Sequence, residues 1–235
     1  MLIVIYAYRL TLAGRLNVQN FDYQVIINAL PLLWEGLQLS FLLTALALVL
    51  GLLWGTCLAI MRVWGSAPLR WFSAIYVNAF RSIPLILVIF WFYFLVPMLT
   101  GESVGQFYSA LIAFTLFEAA YYAEIMRAGF NSVSREQYQA GQAIGLTYTQ
   151  NLRFIVLPQA VRNMTPVLLT QAIILFQDTS LVYVVSLRDF MTTASVIATR
   201  EGRLIELYLF AAAVYFVICF SGSLLVKRLQ KKVAT

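Results

Sequence analysis

The stretch YQAGQAIGLTYTQNLRFIVLP, Tyr138 to Pro158, decides how the rest of this chain is interpreted. It is a mostly uncharged segment that contains two glycines and ends in a proline, yet it lies between long apolar runs. A second stretch upstream, FEAAYYAE at Phe117 to Glu124, places an acidic residue before two small ones, as the first stretch places Gln139 before two small ones. The spacing of the residues must therefore show which of the two stretches is a functional signature.

The composition indicates an integral membrane protein. Of 235 residues, 62% are hydrophobic and 11% are charged, whereas soluble domains are about 45–50% apolar and about 25% charged. The chain has no histidine, which is the commonest general base and metal ligand. Its two cysteines, Cys57 and Cys219, lie inside apolar runs and are expected to be buried free thiols. We therefore predict no catalytic residue, no metal site and no cofactor bound by this chain.

Five apolar segments are long enough to cross a membrane, which takes about 20 residues as a helix. No linker separates them, so we predict an all-α polytopic membrane protein whose single domain spans residues 1–235. Within it, residues 1–28 form an N-terminal periplasmic or interfacial segment, and residues 29–232 form the transmembrane core. The predicted spans are Gly36 to Met61, Trp71 to Val96, Phe107 to Met126, Val161 to Val185 and Leu204 to Val226.

The distribution of Lys and Arg predicts the orientation, because cytoplasmic loops are enriched in both. The loops after the first and third spans carry arginines, and the C-terminal tail KRLQKK, Lys227 to Lys232, is strongly basic. The loop TGESVG, Thr100 to Gly105, has neither Lys nor Arg. We therefore place the C-terminus in the cytoplasm and the N-terminus outside, although Arg9 and Arg15 count against an external N-terminus.

The cytoplasmic loop 131–158 is too long for a simple connection between helices, where about 2–8 residues is usual. Ser134 to Gln137 has the spacing of a capping box, so we predict a helix that begins just after Ser134. That helix would present small residues from Ala140 to Gly145, and each of its two glycines costs about 0.8–1 kcal/mol relative to Ala. A helix that weak needs a protein surface to dock against. The alternative is an interfacial helix on lipid, but the basic and apolar pattern that lipid binding favours is missing.

The residues of this loop resemble the cytoplasmic signature of the permease subunits of bacterial binding-protein-dependent ABC importers. The signature reads Glu-Ala-Ala, three residues, Gly, nine residues, and then Ile-x-Leu-Pro. In this chain its positions are, with matching spacing, Gln139, Ala140, Gly141, Gly145, Ile155, Leu157 and Pro158. Gln139 replaces the usual Glu, and Gly141 replaces the usual Ala. The upstream stretch fails the same comparison because Glu124 stands where the Gly is required.

The resemblance implies a type I ABC importer permease fold, in which residues 131–158 carry the coupling helix that sits in a groove of the ATPase. The implied partners are two ABC ATPase subunits, a second permease that is homologous and non-identical, a periplasmic amino-acid-binding protein and membrane lipid, but no nucleic acid. ATP and Mg²⁺ would be held by the ATPase, which agrees with the lack of a G-x-x-x-x-G-K-[ST] phosphate loop in this sequence. The chain would therefore be a translocation subunit and not an enzyme.

Further motifs are similar to the polar amino-acid branch of that family, and most of all to glutamate/aspartate importer permeases. This likeness implies import of glutamate and aspartate from periplasm to cytoplasm, across the bacterial inner membrane, by alternating access. Sister permeases for glutamine, histidine or basic amino acids are built alike and remain an alternative. An ATP-independent channel or secondary transporter is a second alternative, against which the lack of an internal inverted repeat argues. The motifs are FRSIPL (Phe80 to Leu85), AYYAEIMRAGFNSVSREQ (Ala120 to Gln137), LPQAVRNMTP (Leu157 to Pro166) and QDTSLVYVVSLRD (Gln177 to Asp189).

Polar residues inside apolar spans are costly in lipid, so each of them is a candidate for the substrate path. Arg81 lies about ten residues into the second span, where it is either a cation facing the path or the structural partner of an acid. Glu118 lies near the middle of the third span, with Tyr121 and Tyr122 close to its face at the i+3 and i+4 positions. These three side chains could hold a substrate ammonium group, or they could hydrogen-bond between packed helices.

The fourth span is predicted to be interrupted by Pro166 and by the polar run that starts at Gln177. Irregular backbone at membrane depth is tolerated only inside protein or along a cavity, and a broken helix whose end groups meet an amino acid is the functional interpretation. An acidic substrate would also need a cation, which Arg81 could supply. Glu124 and Arg127 are predicted to form a local ion pair at i+3. The path candidates in this span are Gln171, Gln177, Asp178, Thr179 and Ser180.

Overall fold

The structure is a computed structural model that describes residues 21–234, with the side chains of residues 21–230. Residues 1–20 of the predicted N-terminal segment lie outside the described part of the chain, so their predicted placement stays a prediction. The regular elements between residues 21 and 234 are all helical. In chain order they are α1 (Tyr23–Trp64), α2 (Ala67–Arg81), α3 (Leu85–Phe90), a first π-helical turn (Trp91–Leu95), α4 (Val96–Thr100), α5 (Gln106–Asn131), α6 (Arg135–Ala143), α7 (Tyr148–Asn151), a second π-helical turn (Leu152–Val156), α8 (Leu157–Asp178), a 3₁₀ helix (Thr179–Val185), α9 (Phe190–Glu201) and α10 (Leu204–Ala234).

The predicted all-α polytopic architecture is confirmed. Four stretches are long and apolar enough to cross a membrane, and a fifth is formed if the bent pair of α2 with the helices after it counts as one span. The four straight stretches are Tyr23–Trp64, Gln106–Asn131, Tyr148–Val185 and Leu204–Gln230.

The helix that contains the first predicted span is much longer than that span. Helix α1 has 42 residues, which corresponds to about 63 Å at 1.5 Å per residue, or twice the hydrocarbon core. It begins at Tyr23, because Asp22 caps its N-terminus by accepting a hydrogen bond from the Gln24 amide at 2.9 Å. The helix then continues through Pro31. The helix therefore begins 13 residues before Gly36, the predicted start of the first span (36 − 23 = 13).

The second predicted span, Trp71 to Val96, is broken. Helix α2 ends at Arg81, and the chain bends by 103° before α3 begins at Leu85. Pro84 lies at this bend in extended conformation. A proline has no amide to donate and disfavours α-helical geometry at the residue before it, and here, unlike at Pro31 of α1, the helix ends.

The fourth predicted span is interrupted at one of the two predicted places. Helix α8 continues through Pro166, so the predicted interruption at that residue is wrong. The predicted interruption in the polar run is confirmed, because α8 ends at Asp178 and a 3₁₀ helix follows to Val185. The segment closes at Ser186, a non-glycine residue with a φ of 57°.

Two π-helical turns share one sequence feature, a proline two residues after the turn ends. Trp91–Leu95 precedes Pro97, and Leu152–Val156 precedes Pro158. A proline ring collides with the carbonyl four residues earlier and leaves that carbonyl without a donor, so the preceding turn widens instead of breaking. The Leu-Pro end of the cytoplasmic signature therefore lies inside a continuous helix that leads into α8.

The centre of the fold is the packing of α1 against α5. Gly51 and Gly55 allow this close approach, because a Cβ on Gly55 would lie 2.8 Å from the Cβ of Tyr122. The ring of Tyr122 is fully buried over these two glycines. Helices α2 and α8 cover the other sides of α5, which makes α5 the best-buried span of the described chain.

Candidate coupling site and transport path

The predicted cytoplasmic helix is present as α6, and it begins at Arg135 directly after Ser134 as predicted. The predicted capping box at Ser134 is wrong, since the Ser134 side chain makes no capping hydrogen bond. A capping box forms at Thr147 and Gln150 instead. The Gln150 amide donates to Thr147 Oγ1 at 3.4 Å, and the Thr147 amide donates to Gln150 Oε1 at 2.9 Å. This box fixes the start of α7, where the sequence shows the same four-residue spacing.

Gly145 of the signature ends the coupling helix. It has a φ of 84°, its amide donates to the Gln142 carbonyl at 2.9 Å, and the Leu146 amide donates to the Gly141 carbonyl at 3.1 Å. This pair of bonds is the Schellman motif, in which a left-handed residue just after a helix satisfies its last carbonyls. Gly145 is exposed, and a Cβ placed on it would meet no atom within 4 Å. A glycine is therefore favoured by backbone conformation and not by crowding within this chain, although Asn and Asp also tolerate such a backbone.

Gly141 of the signature faces inward and touches Asn151. A Cβ on Gly141 would lie 2.7 Å from Cγ, Nδ2 and Oδ1 of Asn151. The Asn151 side chain is fully buried and donates from Nδ2 to the Tyr138 carbonyl at 2.7 Å. Sequence reasoning missed Asn151, because a polar residue among polar neighbours carries no signal of burial.

The other signature residues lie at or near the surface of this end of the fold. Gln139, Ala140 and Pro158 are exposed, Leu157 is exposed to 39%, and Ile155 is half-buried. Between them stand three large apolar side chains that the sequence analysis did not select. These are Ile144, Tyr148 and Phe154, with exposed fractions of 76%, 56% and 63%. Exposed apolar groups around a polar helix are typical of a protein-docking surface.

Polar contacts tie this cytoplasmic segment to the spans. Trp64 Nε1, at the end of α1, donates to Tyr148 Oη at 3.0 Å. Asn163 Nδ2 on α8 donates to Ser132 Oγ at 2.8 Å, beside the end of α5. A cleft of about 390 Å³ lies against α6 and is lined in part by Phe130, Ser134 and Gln139.

Glu118 and Gln171, two of the path candidates, meet in the centre of the spans. Gln171 Nε2 donates to both carboxylate oxygens of Glu118 at 3.2 Å. Glu118 and Tyr122 are fully buried, and a Cβ on Gly51 would lie 3.3 Å from Glu118 and 3.2 Å from Tyr122. In this conformation the two side chains are enclosed by α1, α5 and α8, so a substrate could reach them only if these helices separate.

Tyr121 and Arg81 form a second group on the neighbouring face of α5. The Arg81 guanidinium lies 5.5 Å from the centre of the Tyr121 ring, and its Nη1 lies 3.8 Å from Glu124 Oε1. The predicted ion pair of Glu124 with Arg127 is confirmed, with distances of 2.5 and 3.0 Å. One carboxylate is thus shared by two guanidinium groups, and the Arg81 side chain is still 40% exposed.

The remaining candidates, at the end of α8, divide between a cavity and the backbone. Gln177 and Ser180 line a cavity of about 530 Å³ together with Tyr208 and Tyr215 of α10. The buried Thr179 hydroxyl donates to the Phe176 carbonyl at 2.7 Å, so it satisfies the helix end. Asp178 is half-buried at the last position of α8.

The outer end of the fold is organised by Asp189, which the sequence analysis placed in a motif without giving it a role. Its buried carboxylate caps α9 by accepting from the amides of Thr192 at 2.8 Å and Met191 at 3.2 Å. It also accepts from Ser40 Oγ on α1 at 3.5 Å, and a Cβ on Gly36 would lie 2.8 Å from the Asp189 carbonyl oxygen. Burial raises the pKa of the Asp189 carboxyl to about 6, against the opposing effect of these donors.

Comparison with known proteins identifies the family to which this chain belongs. Residues 47–235 match the family described as binding-protein-dependent transport system inner membrane component. The chain is 51% identical over 222 residues to the glutamate/aspartate import permease protein GltK of Escherichia coli O157:H7, covering 92% of this chain and 99% of that protein. It is 30% identical over 213 residues to the arginine transport system permease protein ArtQ of Bacillus subtilis, covering 91% of this chain and 97% of that one. The crystal structure of an amino acid ABC transporter with histidines superposes with a TM-score of 0.86 at 28% identity, covering 90% of this chain and 98% of that chain.

Proposed function

The chain belongs to the family of inner-membrane components of binding-protein-dependent transport systems, and from this premise we propose that it is the permease subunit of an importer for glutamate and aspartate. The observation that carries the proposal is the difference in identity between relatives. The chain is 51% identical to a permease named for glutamate and aspartate, and 30% identical to one named for arginine. Both relatives are matched over nearly their whole length, so the difference in identity is a difference over the whole sequence and not within one motif.

The chemistry of an acidic substrate supports the proposal. Such a substrate has two carboxylates, and its recognition at membrane depth requires a cation. Arg81 lies at the bend of the second span, and its side chain is partly exposed and held by the Tyr121 ring and by Glu124. A substrate carboxylate would compete with Glu124 for this guanidinium, while Arg127 keeps Glu124 paired.

The substrate ammonium group requires the opposite charge. We assign it to Glu118 with Tyr122 and Gln171, which become accessible when α1, α5 and α8 separate. Gln177 and Ser180 line the cavity against α10, Asp178 ends α8, and Thr179 begins the 3₁₀ helix that follows. The full path therefore needs the conformational change that gives alternating access.

The proposed complex contains two ABC ATPase subunits, which bind ATP and Mg²⁺, and a second, homologous permease subunit. The ATPases dock on α6 from the cytoplasm, and a periplasmic amino-acid-binding protein docks on the outer segment around Ser186 to Arg203. In this orientation the N-terminus is periplasmic and the C-terminus is cytoplasmic. Closure of the ATPase dimer on ATP moves α6, and the spans rock about the central path.

The test is the ATPase activity of the purified complex in lipid, with its binding protein, measured across a panel of single amino acids. Stimulation by glutamate and aspartate alone is the expected result. Stimulation by glutamine, histidine or arginine would overturn the acidic substrate and keep the family. If no ATPase co-purifies and no amino acid stimulates hydrolysis, the importer assignment itself is wrong. Omission of the binding protein gives the basal rate.

Arg81→Gln tests the cation directly. The variant should raise the glutamate concentration that gives half-maximal uptake by about tenfold or more, the equivalent of about 1.4 kcal/mol of lost binding. Arg70→Gln, at an exposed position of the same helix, is the matched control and should leave uptake unchanged. Equal uptake by the Arg81→Gln variant and the parent protein would remove Arg81 from the path.

A further inference from the structure

We propose that Asn151 is a positioning residue that locks the coupling helix α6 to α8, so that the two move as one body during transport. The proposal rests on the proposed function, because it concerns how a movement imposed by an ATPase reaches the spans. It assigns a role to a residue outside the signature, and it gives a reason for the glycine at position 141.

Burial singles out the contact. Gly141 is the buried residue of α6, and Asn151 is the buried residue of α7. Thr147, Tyr148 and the other residues of α7 are exposed. Each of these short helices therefore buries one position, and the two positions face each other. The ring of Tyr138 also lies 6.2 Å from that of Tyr148, and Gln159 of α8 donates to Gln137 at 3.4 Å, but both contacts are at the surface, so Gly141 is the close-packed point of this nine-residue helix.

The fit between the two residues is steric as well as polar. Asn151 Nδ2 donates to the Tyr138 carbonyl, which lies one turn before Gly141 on α6. The amide group of Asn151 thus occupies the place of a side chain at position 141, where any Cβ would lie 2.7 Å from three of its atoms. Real Cβ atoms do not approach other atoms that closely, so alanine, which is usual at this signature position, would expel Asn151. Gly141 and Asn151 therefore form one feature.

The lock lies at the start of a long rigid element. From Asn151 the helix continues through the second π-helical turn into α8 without a break as far as Asp178. Gln171, which donates to Glu118, is 20 residues further along, or about 30 Å at 1.5 Å per residue. A displacement of α6 that Asn151 transmits would therefore arrive at the buried contact between α8 and α5.

The test compares Gly141→Ala, Asn151→Ala and the double variant in the reconstituted complex with its ATPase and binding protein. The readout is the number of amino-acid molecules imported per ATP hydrolysed, since a defect in folding alone lowers both rates together. Each single variant should lower this ratio by at least about fivefold, which corresponds to the loss of one buried hydrogen bond. The double variant should recover most of the ratio, because the shortened side chain at position 151 leaves room for a Cβ at position 141 and the two methyl groups pack.

Gly222→Ala is the matched control. It places a methyl group 3.2 Å from the flexible end of Ile173, far from α6 in sequence, and should leave the ratio unchanged. Single variants that keep the parent ratio, or a double variant in which the two losses multiply, would overturn the lock. If the parent complex shows no amino-acid-stimulated ATPase activity, the proposed function fails. The stimulated ATPase activity of the parent complex therefore tests the proposed function, and the import-to-hydrolysis ratios of the variants test the role of Asn151.

Discussion

In the proposed orientation, the inner end (α6 and α7) and the outer end (α1 and α9) of this permease each join two helices where a buried polar residue lies on a glycine. At the outer junction, the backbone carbonyl of Asp189 lies on Gly36, and its carboxylate accepts from two amides and the Ser40 hydroxyl. At the inner junction, Asn151 sits on Gly141 and donates one hydrogen bond, while its buried Oδ1 has no partner in the described residues. The outer junction is charged and satisfied by several donors, whereas the inner one depends on shape and one bond.

This difference fits the two tasks. A junction with several donors opens only at a high cost, which suits the outer face on which a binding protein would dock. A junction with one bond fixes an orientation but can be adjusted by small changes in its neighbours. The inner end is therefore where substitutions should change coupling, and the outer end is where they should change stability.

Gly145→Asp should have the largest effect and should act at the inner end alone. Asp tolerates the left-handed backbone that Gly145 adopts, so the turn is retained while a charge is added to the surface that docks on the ATPase. Uptake by the reconstituted complex should fall by about tenfold or more, the equivalent of about 1.4 kcal/mol. Gly145→Asn has the same shape without the charge and should retain most of the uptake. Normal uptake by the Asp variant at normal expression would contradict the coupling assignment.

Asp189→Ala should have the largest effect on stability. It leaves the buried Thr192 amide and the half-buried Met191 amide without their acceptor, whereas the Ser40 hydroxyl keeps the Gly36 carbonyl at 3.2 Å, so the lost cap and the unsatisfied donors should cost about 2–3 kcal/mol. Thermal unfolding of the purified complex, followed by size-exclusion chromatography, measures the loss. Asp22→Ala removes a cap from the more exposed start of α1 and should cost about 1 kcal/mol or less. Equal losses in the two variants would show that the outer junction is no stronger than a surface cap.

The pH dependence of stability should separate the two junctions further. Since burial raises the pKa of Asp189 to about 6, the folded protein binds this proton more tightly than the unfolded chain does. The resulting stability is full below about pH 4 and is lost as the pH rises through about 6. The unfolding temperature should therefore be higher at pH 5 than at pH 7.5 in the parent protein, relative to Asp189→Asn. The inner junction has no titratable side chain in the contact, so Asn151→Ala should show the same pH profile as the parent.

Thr147→Ala should have the smallest effect, again at the inner end. The change removes the capping box at the start of α7, which carries Asn151, at a cost of about 1 kcal/mol. The ratio of uptake to ATP hydrolysis should fall by about fivefold or less. Ser134→Ala is the matched control, because Ser134 occupies the cap position of α6 without a capping hydrogen bond. A larger effect at Ser134 than at Thr147 would contradict the structure of this segment.

Local patterns in the sequence predicted much of the coupling segment. They could not predict contacts between residues that are distant in the sequence. The start of α6 after Ser134, the Glu124–Arg127 pair and the break after Asp178 all depend on residues within one or two turns. The contact of Ser40 with Asp189 joins residues 149 positions apart and depends on how α9 packs on α1.

Three of the prolines discussed above have three different effects on the backbone, and the sequence alone does not distinguish them. Pro84 bends the chain by 103°, Pro158 widens the turn before it, and Pro166 leaves α8 continuous. Sequence shows that a proline removes one donor, but the outcome depends on whether the surrounding helices supply other contacts to the freed carbonyl. The predicted interruption at Pro166 was wrong, since the helix continues through this proline.

The bend between α2 and α3 determines which side of the protomer lipid cannot cover. Ser82 and Arg81 are exposed there, and Ser82 satisfies the end of α2 with its own hydroxyl and amide at the Asn78 carbonyl. Acyl chains offer no hydrogen bonds to backbone groups that a helix leaves open, so this elbow must face water or another protein. Hydration at that depth lowers the cost of keeping the Arg81 guanidinium charged. The elbow is therefore the part of the second span that we expect to lie away from lipid.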